Sequence, residues 1–329
     1  VQPKGESSIK LHSIDQYKGY LAHFNDIDNL DEFLTRQLNS KSRNKFRSAI
    51  RKFETCFNTS YTIYHDFISK DEYAQTMHEF KEIIIKRFKT LKLDTNLVNE
   101  WPFYTELVYK MILDKKAIII AIRANNKPVS MSLAFLGNTY LVGAIKAFDS
   151  DYYKFNVGHI EISKLIEFCL EHNLNHLDFS KGAYEYKSKW TNSEYQYNCH
   201  ILYDSSHFVS RTTANCLASF FKFKQQLRDK NFNFFLVKLK YRLKNLIIVS
   251  NKKAPFTVNE LESFDESITC NLVKLDEETK TYPFLNRIIF DNLFRNPEPI
   301  ENINIFKSNS RKPVYYVIGE KSKYAVKIK

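Results

Sequence analysis

Residues 117–182 read AIIIAIRANNKPVSMSLAFLGNTYLVGAIKAFDSDYYKFNVGHIEISKLIEFCLEHNLNHLDFSKG, and this stretch decides the fold. Ala117 to Arg123 is a β-branched apolar run, which predicts a strand. Asn125-Asn126-Lys127-Pro128 is a turn. Val129 to Leu136 alternates in part, and Gly137-Asn138 turns it into a third strand, Thr139 to Ala147. Strands joined by such short turns must be antiparallel neighbours. Val157 to Glu171 then changes to helical period through Ile160, Ile162, Leu165, Ile166 and Cys169. His176 to Phe179 is a short strand, and the strand–helix–strand order places it parallel to the third. The reading is an α/β (α+β) fold: a mixed sheet with an antiparallel meander, a crossover helix and a parallel strand.

Toward the N-terminus, Asp31 to Glu54 reads as one helix. It carries an apolar stripe of Phe46, Ala49, Ile50 and Phe53. Arg43, Arg47 and Arg51 form a basic stripe beside it. Ser69-x-x-Glu72 fits a capping box that opens a helix with Tyr73, Met77, Phe80, Ile84 and Phe88 on one side. Pro102 opens a third helix, running to about Leu113. Beyond the core stretch, Tyr195 to Tyr203 alternates as a strand. Ala218 to Val249 is aromatic and basic, with one acidic residue, Asp229; its length favours helix over strand. Asn251 to Pro255 reads as a linker. A small α+β unit follows: strand 268–275, helix 283–295, strand 301–307 and a hairpin 313–328 turning at Gly319-Glu320. The expected organisation is a first domain over 1–215, a basic aromatic helical segment over 216–250, and a C-terminal domain over 251–329.

Composition narrows the function. Only seven of 329 residues are glycine. Neither G-x-x-x-x-G-K-[ST] nor a strand followed by G-x-G-x-x-G occurs, which argues against the usual nucleotide enzymes. The formal net charge is +12, which favours an anionic partner. The five cysteines are widely spaced without C-x-x-C, a pattern that suits a reduced, cytoplasmic protein and no zinc site. No apolar run approaches the roughly 20 residues of a bilayer span, and Val1 to Lys10 lacks a signal-peptide core. His172 and His176 have i, i+4 spacing, but Asn173 and Asn175 mark a helix end there, so no metal is expected.

The strongest constellation runs from Tyr152 to Trp190. A glycine in a turn opening a helix lets backbone N–H groups approach an anion, and the helix dipole helps. Asp178 ends the parallel strand, where sites of open α/β sheets form. Lys187 and the arginine stripe offer cations for phosphate. Glu161, one turn into the helix, is read as pairing with a cation.

The segment from Asp151 to Trp190 resembles the GNAT-type acyltransferases named after the cellulose-biosynthesis acetyltransferases, a group related to the Fem aminoacyl transferases. Phe155-Asn156-Val157-Gly158 stands at the group's Tyr-Ser-Pro-Gly-like turn. Asp178-Phe179 with Gly182 stands at its Asp-Phe…Gly element, and Tyr186-Lys187 at its Tyr-Lys. The helix bearing Arg43, Arg47 and Arg51 resembles its basic helix, and Lys86-Arg87-Phe88 its Arg-Phe element. The resemblance spans roughly residues 30–205.

It implies an N-acyltransferase using acetyl-CoA or another acyl-CoA, with no metal. Asn156, Val157, Gly158 and His159 would bind the cofactor. Arg47, Arg51, Arg87 and Gly182 would contact substrate. Asp178, Lys187 and Tyr186 would be catalytic. The acceptor would be an amine on a small molecule or glycan, such as an amino sugar or cell-envelope precursor. Two alternatives stay open: Fem-like transfer from aminoacyl-tRNA, the one nucleic acid expected, and a non-catalytic binding protein that keeps the fold. The aromatic, basic 218–249 segment adds an expectation of docking on the inner face of the membrane. The sequence does not give the oligomeric state.

Overall fold

The computed structural model describes residues 8–91, 95–182, 184–230, 256–261, 270–309 and 313–328. The chain forms two compact units. One comprises residues 24–177 with 253–329, and the other residues 1–23 with 178–252.

The larger unit holds the meander. In chain order it contains α1 (Leu30–Gln37), α2 (Ser40–Cys56), β2 (Thr59–Tyr64), α3 (Lys70–Leu91), α4 (Leu97–Leu113), β3 (Ala117–Ala124), β4 (Lys127–Leu136), β5 (Tyr140–Phe148) and α5 (Val157–Glu171), with β1 reserved for an N-terminal strand of the other unit. Strands β2, β3, β4 and β5 pair antiparallel in sequence order. Asn125 and Asn126, both at positive φ, make the tight β3–β4 turn, a geometry asparagine tolerates. β6 (His176–Lys181) starts beside β5. Asn175 N–H donates to Thr139 O at 2.7 Å, and the His176 ring stacks on Tyr140 with centroids 5.4 Å apart. Both strands enter the pair at their starts, so they run parallel, as the crossover order predicts.

The apolar run of β3 is buried on both faces, because helices cover both sides. Ala117, Ile119 and Ala121 join Phe80, Trp101, Val108 and Ile112 of α3 and α4 in one core. The intervening residues belong to the α5 side, where Ile160, Leu165, Ile166 and Cys169 are buried. The capping box opens α3 as read: Ser69 Oγ accepts from Glu72 N–H at 3.2 Å.

Several boundaries differ from the sequence reading. The expected helix 31–54 is two helices. Asn39 caps α2 by accepting from Ser42 N–H, while Arg43 donates to Leu38 O at 2.7 Å and so closes α1. Helix α4 begins five residues before Pro102, which lies in its second turn rather than at its start. Strand β2 was not anticipated.

The unit's C-terminal part is an antiparallel sheet ordered β8 (Phe256–Glu260), β12 (Lys323–Ile328), β11 (Val314–Ile318), β10 (Asn304–Ser308), β9 (Cys270–Leu272). It carries helices α8 (Leu275–Thr281) and α9 (Phe284–Arg295). The hairpin at Gly319-Glu320 and the helix 283–295 are as expected; β8 and α8 are additional. The expected linker 251–255 and the start of the 268–275 strand lie outside the described residues. Helix α9 packs on α2 and on the 3-10 turn Ser150–Phe155. Phe290 lies 5.2 Å from Phe57 and 4.6 Å from Tyr152, ring to ring. Phe294 lies 5.4 Å from Phe155, and Lys52 Nζ donates to Phe294 O at 2.7 Å.

The smaller unit pairs β1 (Ile9–His23) antiparallel with β7 (Ser193–Asp204). The long strand β1 was not anticipated; of its side chains only Ile14, Tyr20 and Ala22 are buried. Gly182 N–H donates to Lys18 O at 3.3 Å, tying the end of β6 to β1. The short α6 (Glu185–Ser188) follows, and α7 (Phe208–Asp229) packs on β1 and β7. Helix α7 starts ten residues before the expected 218, and the remainder of the 218–249 segment, from 231, lies outside the described residues. Among the described residues no helix is long and apolar enough to cross a membrane.

Candidate functional site

The residues expected to form one site fall in both compact units. In the larger unit, the first feature is an irregularity in β5. Leu133 pairs with Ile145, yet Ala134 pairs with Gly143, so Ala144 is the extra residue of a β-bulge. Ala144 is exposed, and a bulged residue is left out of the ladder.

The strand leads into the Ser150–Phe155 turn and then α5. Asn156 takes the left-handed conformation, φ 57°, which asparagine tolerates. Its carbonyl accepts from His159 and Ile160 N–H, so the first helical turn is formed. No side chain caps this helix end. Its leading N–H groups, around Val157 and Gly158, are those a helix leaves for an outside acceptor. Val157 is buried; Asn156, Gly158 and His159 are half-buried. A Cβ on Gly158 would come within 3.0 Å of the Phe148 ring, so glycine allows this turn to sit against the aromatic face.

Arg87 joins the same place. Its guanidinium lies 4.1 Å over the Phe148 ring, and Nη1 donates to Ser150 Oγ at 3.3 Å. Burial lowers its pKa from the ordinary value. Lys86 beside it donates to Asp149 Oδ2 at 2.7 Å and Asp151 Oδ2 at 2.8 Å, offsetting two carboxylates that would otherwise repel an anion. The other arginines sit elsewhere in their contacts. Arg47 pairs with Asp31 at 2.9 Å on the surface, and Arg51 is exposed.

Behind the turn lies a buried charge pair. Glu161, fully buried, accepts from Ser130 Oγ at 2.9 Å. Lys146 Nζ stands 3.6 Å from Glu161 Oε1 and donates to Gly158 O at 2.5 Å. Burial raises the Glu161 carboxyl pKa and lowers that of the Lys146 amine. The cation expected for Glu161 is therefore Lys146, which also ties β5, just past its bulge, to the first turn of α5.

In the smaller unit, Asp178 sits at the heart of a tyrosine cluster. Its Oδ1 accepts from Ser180 N–H at 2.6 Å, which holds Ser180 at φ 58°. Its Oδ2 accepts from the Tyr195 hydroxyl at 2.8 Å. The Tyr195 and Tyr197 oxygens are 2.6 Å apart. Tyr195 has one proton, and it goes to Asp178, so Tyr197 donates the second bond. Burial, followed by its hydrogen bonds to Tyr197 and Asp178, pushes the Tyr195 phenol pKa up. Gly19, opposite Tyr195 on β1, makes room for the ring: a Cβ there would fall 2.2 Å from it.

Lys187 is buried, and its ammonium donates to Phe179 O at 2.7 Å, Ser180 O at 3.0 Å and Lys181 O at 2.8 Å. All three protons are spent on the backbone at the end of β6, so what Lys187 holds directly is the turn that carries Asp178. Burial lowers its pKa to about 8, against a smaller upward pull from Asp178. Gly182 takes φ 104°, which glycine alone adopts readily. The Tyr186 and Tyr184 rings stack with centroids 6.2 Å apart. Tyr195 and Tyr197 escaped the sequence reading as functional groups, though their i, i+2 spacing on a strand places both on one face. Among the described residues no cluster of three or more His, Cys, Asp or Glu could hold a metal.

Residues 40–188 match the family described as acetyltransferase (GNAT) domain. The chain matches no curated protein sequence. Among solved structures, it is similar to a conserved protein of unknown function from Bacteroides thetaiotaomicron VPI-5482, at 12% identity and TM-score 0.42, covering 60% of this chain and 62% of that one. FemX matches at 12% identity and TM-score 0.40, over 56% of this chain and 62% of that one. L-PGS from Bacillus licheniformis matches at 8% identity and TM-score 0.39, over 64% and 66%. The chain thus spans a little under two thirds of the length of the structures it matches. The matched segment, residues 40–188, contains the meander, the crossover helix α5 and the parallel start of β6, so the mixed α/β arrangement of the chain is GNAT-like in architecture.

Proposed function

We propose that the protein is an N-acyltransferase that moves an acyl group, acetyl first among them, from an acyl-CoA thioester to an amine. The observation that carries this reading is the pairing, within one unit, of the β5 bulge at Ala144 with the uncapped start of α5 beside Arg87. The residues present fit an acyl-CoA: Val157 and Gly158 N–H groups and Arg87 would hold its pyrophosphate. When bound, it would supply the activated thioester carbonyl. The backbone at the bulge would donate to the oxygen on which negative charge develops. Asp178, with two of its lone-pair positions already on Ser180 and Tyr195, would orient the acceptor amine and take its proton as the C–N bond forms. The C–S bond breaks, and the sulfur leaves as a thiol once protonated; Tyr186 is the proposed donor of that proton. Lys187 acts here through the backbone it clamps, as a positioning residue. Arg47 and Arg51 remain proposed acceptor contacts, and an amino-sugar or cell-envelope acceptor follows from the resemblance to the cellulose-biosynthesis acetyltransferases alone.

Calorimetric titration of the full chain with acetyl-CoA and longer acyl-CoAs tests the donor. Binding that weakens about tenfold or more in Arg87→Ala, as loss of a charge-assisted phosphate contact implies, supports the reading. Absence of heat and of any thermal shift with every acyl-CoA removes it.

A further inference from the structure

Helix α7 shows solvent a surface that the acyl-transfer reading does not use. Its buried side is small: only Ala214 and Ala218 are fully covered where it packs on β1 and β7. Asn215 Oδ1 meets His12 Nε2 at 2.9 Å, and the Arg228 guanidinium lies 3.7 Å over the Tyr17 ring, so this inner side is anchored. The outer side carries Val209, Thr213, Cys216, Phe220, Phe223 and Leu227, spaced alternately by four and three residues. At about 100° per residue these fall in one stripe, roughly opposite the two alanines. Phe208 is 72% exposed, Val209 75%, Phe220 56% and Phe223 59%. Thr213 interrupts the row and Leu227 is half-buried, yet a monomer seldom leaves several large apolar side chains of one helix face to water.

The charges around the row say what covers it. Residues 208–230 contain five cations, Arg211, Lys222, Lys224, Arg228 and Lys230, against one anion, Asp229. Lys224 and Lys230 flank the apolar row on its two sides, the Lys224 amine 6.0 Å over the Phe220 ring, while Arg211 and Lys222 fall nearer the covered side. An apolar row that inserts and long cationic side chains that stay at the headgroup level are the two halves of an interfacial helix. A second copy of α7 would bring like charges together. Single-stranded nucleic acid would be served by rings alternating with cations on one face, not by a row that also includes Val209, Cys216 and Leu227.

We propose that the outer face of α7 docks on an anionic lipid bilayer, with Phe220 and Phe223 inserted at the acyl–headgroup boundary and Lys224 and Lys230 against the lipid phosphates. Cosedimentation of the full chain with vesicles tests it. Phosphatidylcholine vesicles containing phosphatidylglycerol should bind the protein, pure phosphatidylcholine should not, and added salt should weaken the binding. The double change Phe220→Asp and Phe223→Asp should reduce binding about tenfold or more, with unchanged far-ultraviolet circular dichroism. Lys224→Gln with Lys230→Gln should remove much of the salt dependence while leaving the rings in place. No binding to the anionic vesicles, or binding indifferent to the phenylalanines, overturns the proposal. A solution dimer that the Asp variant dissociates assigns the face to a second copy instead. Oligonucleotide binding that needs Phe220 and Phe223, without vesicle binding, assigns it to nucleic acid. Because the test reads partitioning rather than turnover, it stands or falls apart from the acyl-transfer reading.

Discussion

Replacing Lys187 by methionine keeps the buried chain and removes the ammonium. Three carbonyls, those of Phe179, Ser180 and Lys181, then lose their donor. Hydrogen bonds to a charged donor contribute about 1.5–3 kcal/mol each. Against this stands the cost of desolvating the cation, which already lowers its pKa to about 8 from 10.5; at ~1.4 kcal/mol per unit that cost is about 3 kcal/mol. Three bonds less this cost leave a net loss of roughly 1.5–6 kcal/mol at pH 7 for the variant. The sign with pH follows from linkage. The amine's folded pKa lies below its unfolded one, so folding favours the neutral form. The desolvation cost is present in full below about pH 8 and disappears as pH rises toward 10.5. The wild-type protein should gain up to about 3 kcal/mol from this group across that window, and Lys187→Met should show none of that gain. Urea denaturation of both proteins at several pH values, read by circular dichroism, measures the difference. A variant as stable as wild type at pH 7, with the same pH slope, refutes the three-carbonyl clamp.

Three further outcomes are expected. Gly19→Ala puts a Cβ 2.2 Å from the Tyr195 ring; the displaced phenol should lose its bond to Asp178, costing about 1–3 kcal/mol and lowering turnover, with acyl-CoA affinity measured by calorimetry unchanged. Glu161→Leu takes the buried carboxylate away from Lys146, which keeps its bond to Gly158 O, and should destabilise by about 3 kcal/mol, whereas the double change with Lys146→Met should recover most of that in thermal melts. Phe290→Ala removes a buried ring from Phe57 and Tyr152; a loss of about 3–5 kcal/mol is expected, together with weaker acyl-CoA binding as the Ser150–Phe155 turn loosens.

The meander and crossover were legible because their period, turns and length agreed. Ala117–Arg123 is apolar without alternation since both faces are covered, and Asn125-Asn126 announces its own turn. Helix α5 begins and ends at the residues its periodicity indicated. Strand β1 was hidden because it owes its place to pairing with β7, nearly two hundred positions away, and with only Ile14, Tyr20 and Ala22 of its side chains buried its alternating signal is weak. The break between α1 and α2 turns on the Asn39 cap, a local bond that a continuous apolar stripe masks. At the site, Gly158, Asp178 and Gly182 could be picked out as turn and strand-end residues. The duties of their neighbours could not, since sequence does not reveal that Lys187 spends its protons on three carbonyls, or that Ala144 is the residue a bulge sets aside. Both follow from register and reach, which exist only once the strands have paired.

The packing of α9 against the Ser150–Phe155 turn also sets an order of events during synthesis. Lys52 and Phe294, which hydrogen-bond across this junction, are 242 positions apart. The turn that leads into α5 emerges from the ribosome long before the helix that covers it. At roughly 5–20 residues per second, Tyr152 and Phe155 wait on the order of ten seconds with their aromatic faces uncovered. The sheet and α5 have time to form first, but the loop beside the proposed donor site takes its final support from a segment made late. A nascent chain stalled before residue 284 would therefore expose a sticky aromatic patch at the very place where the finished protein is expected to bind its substrate.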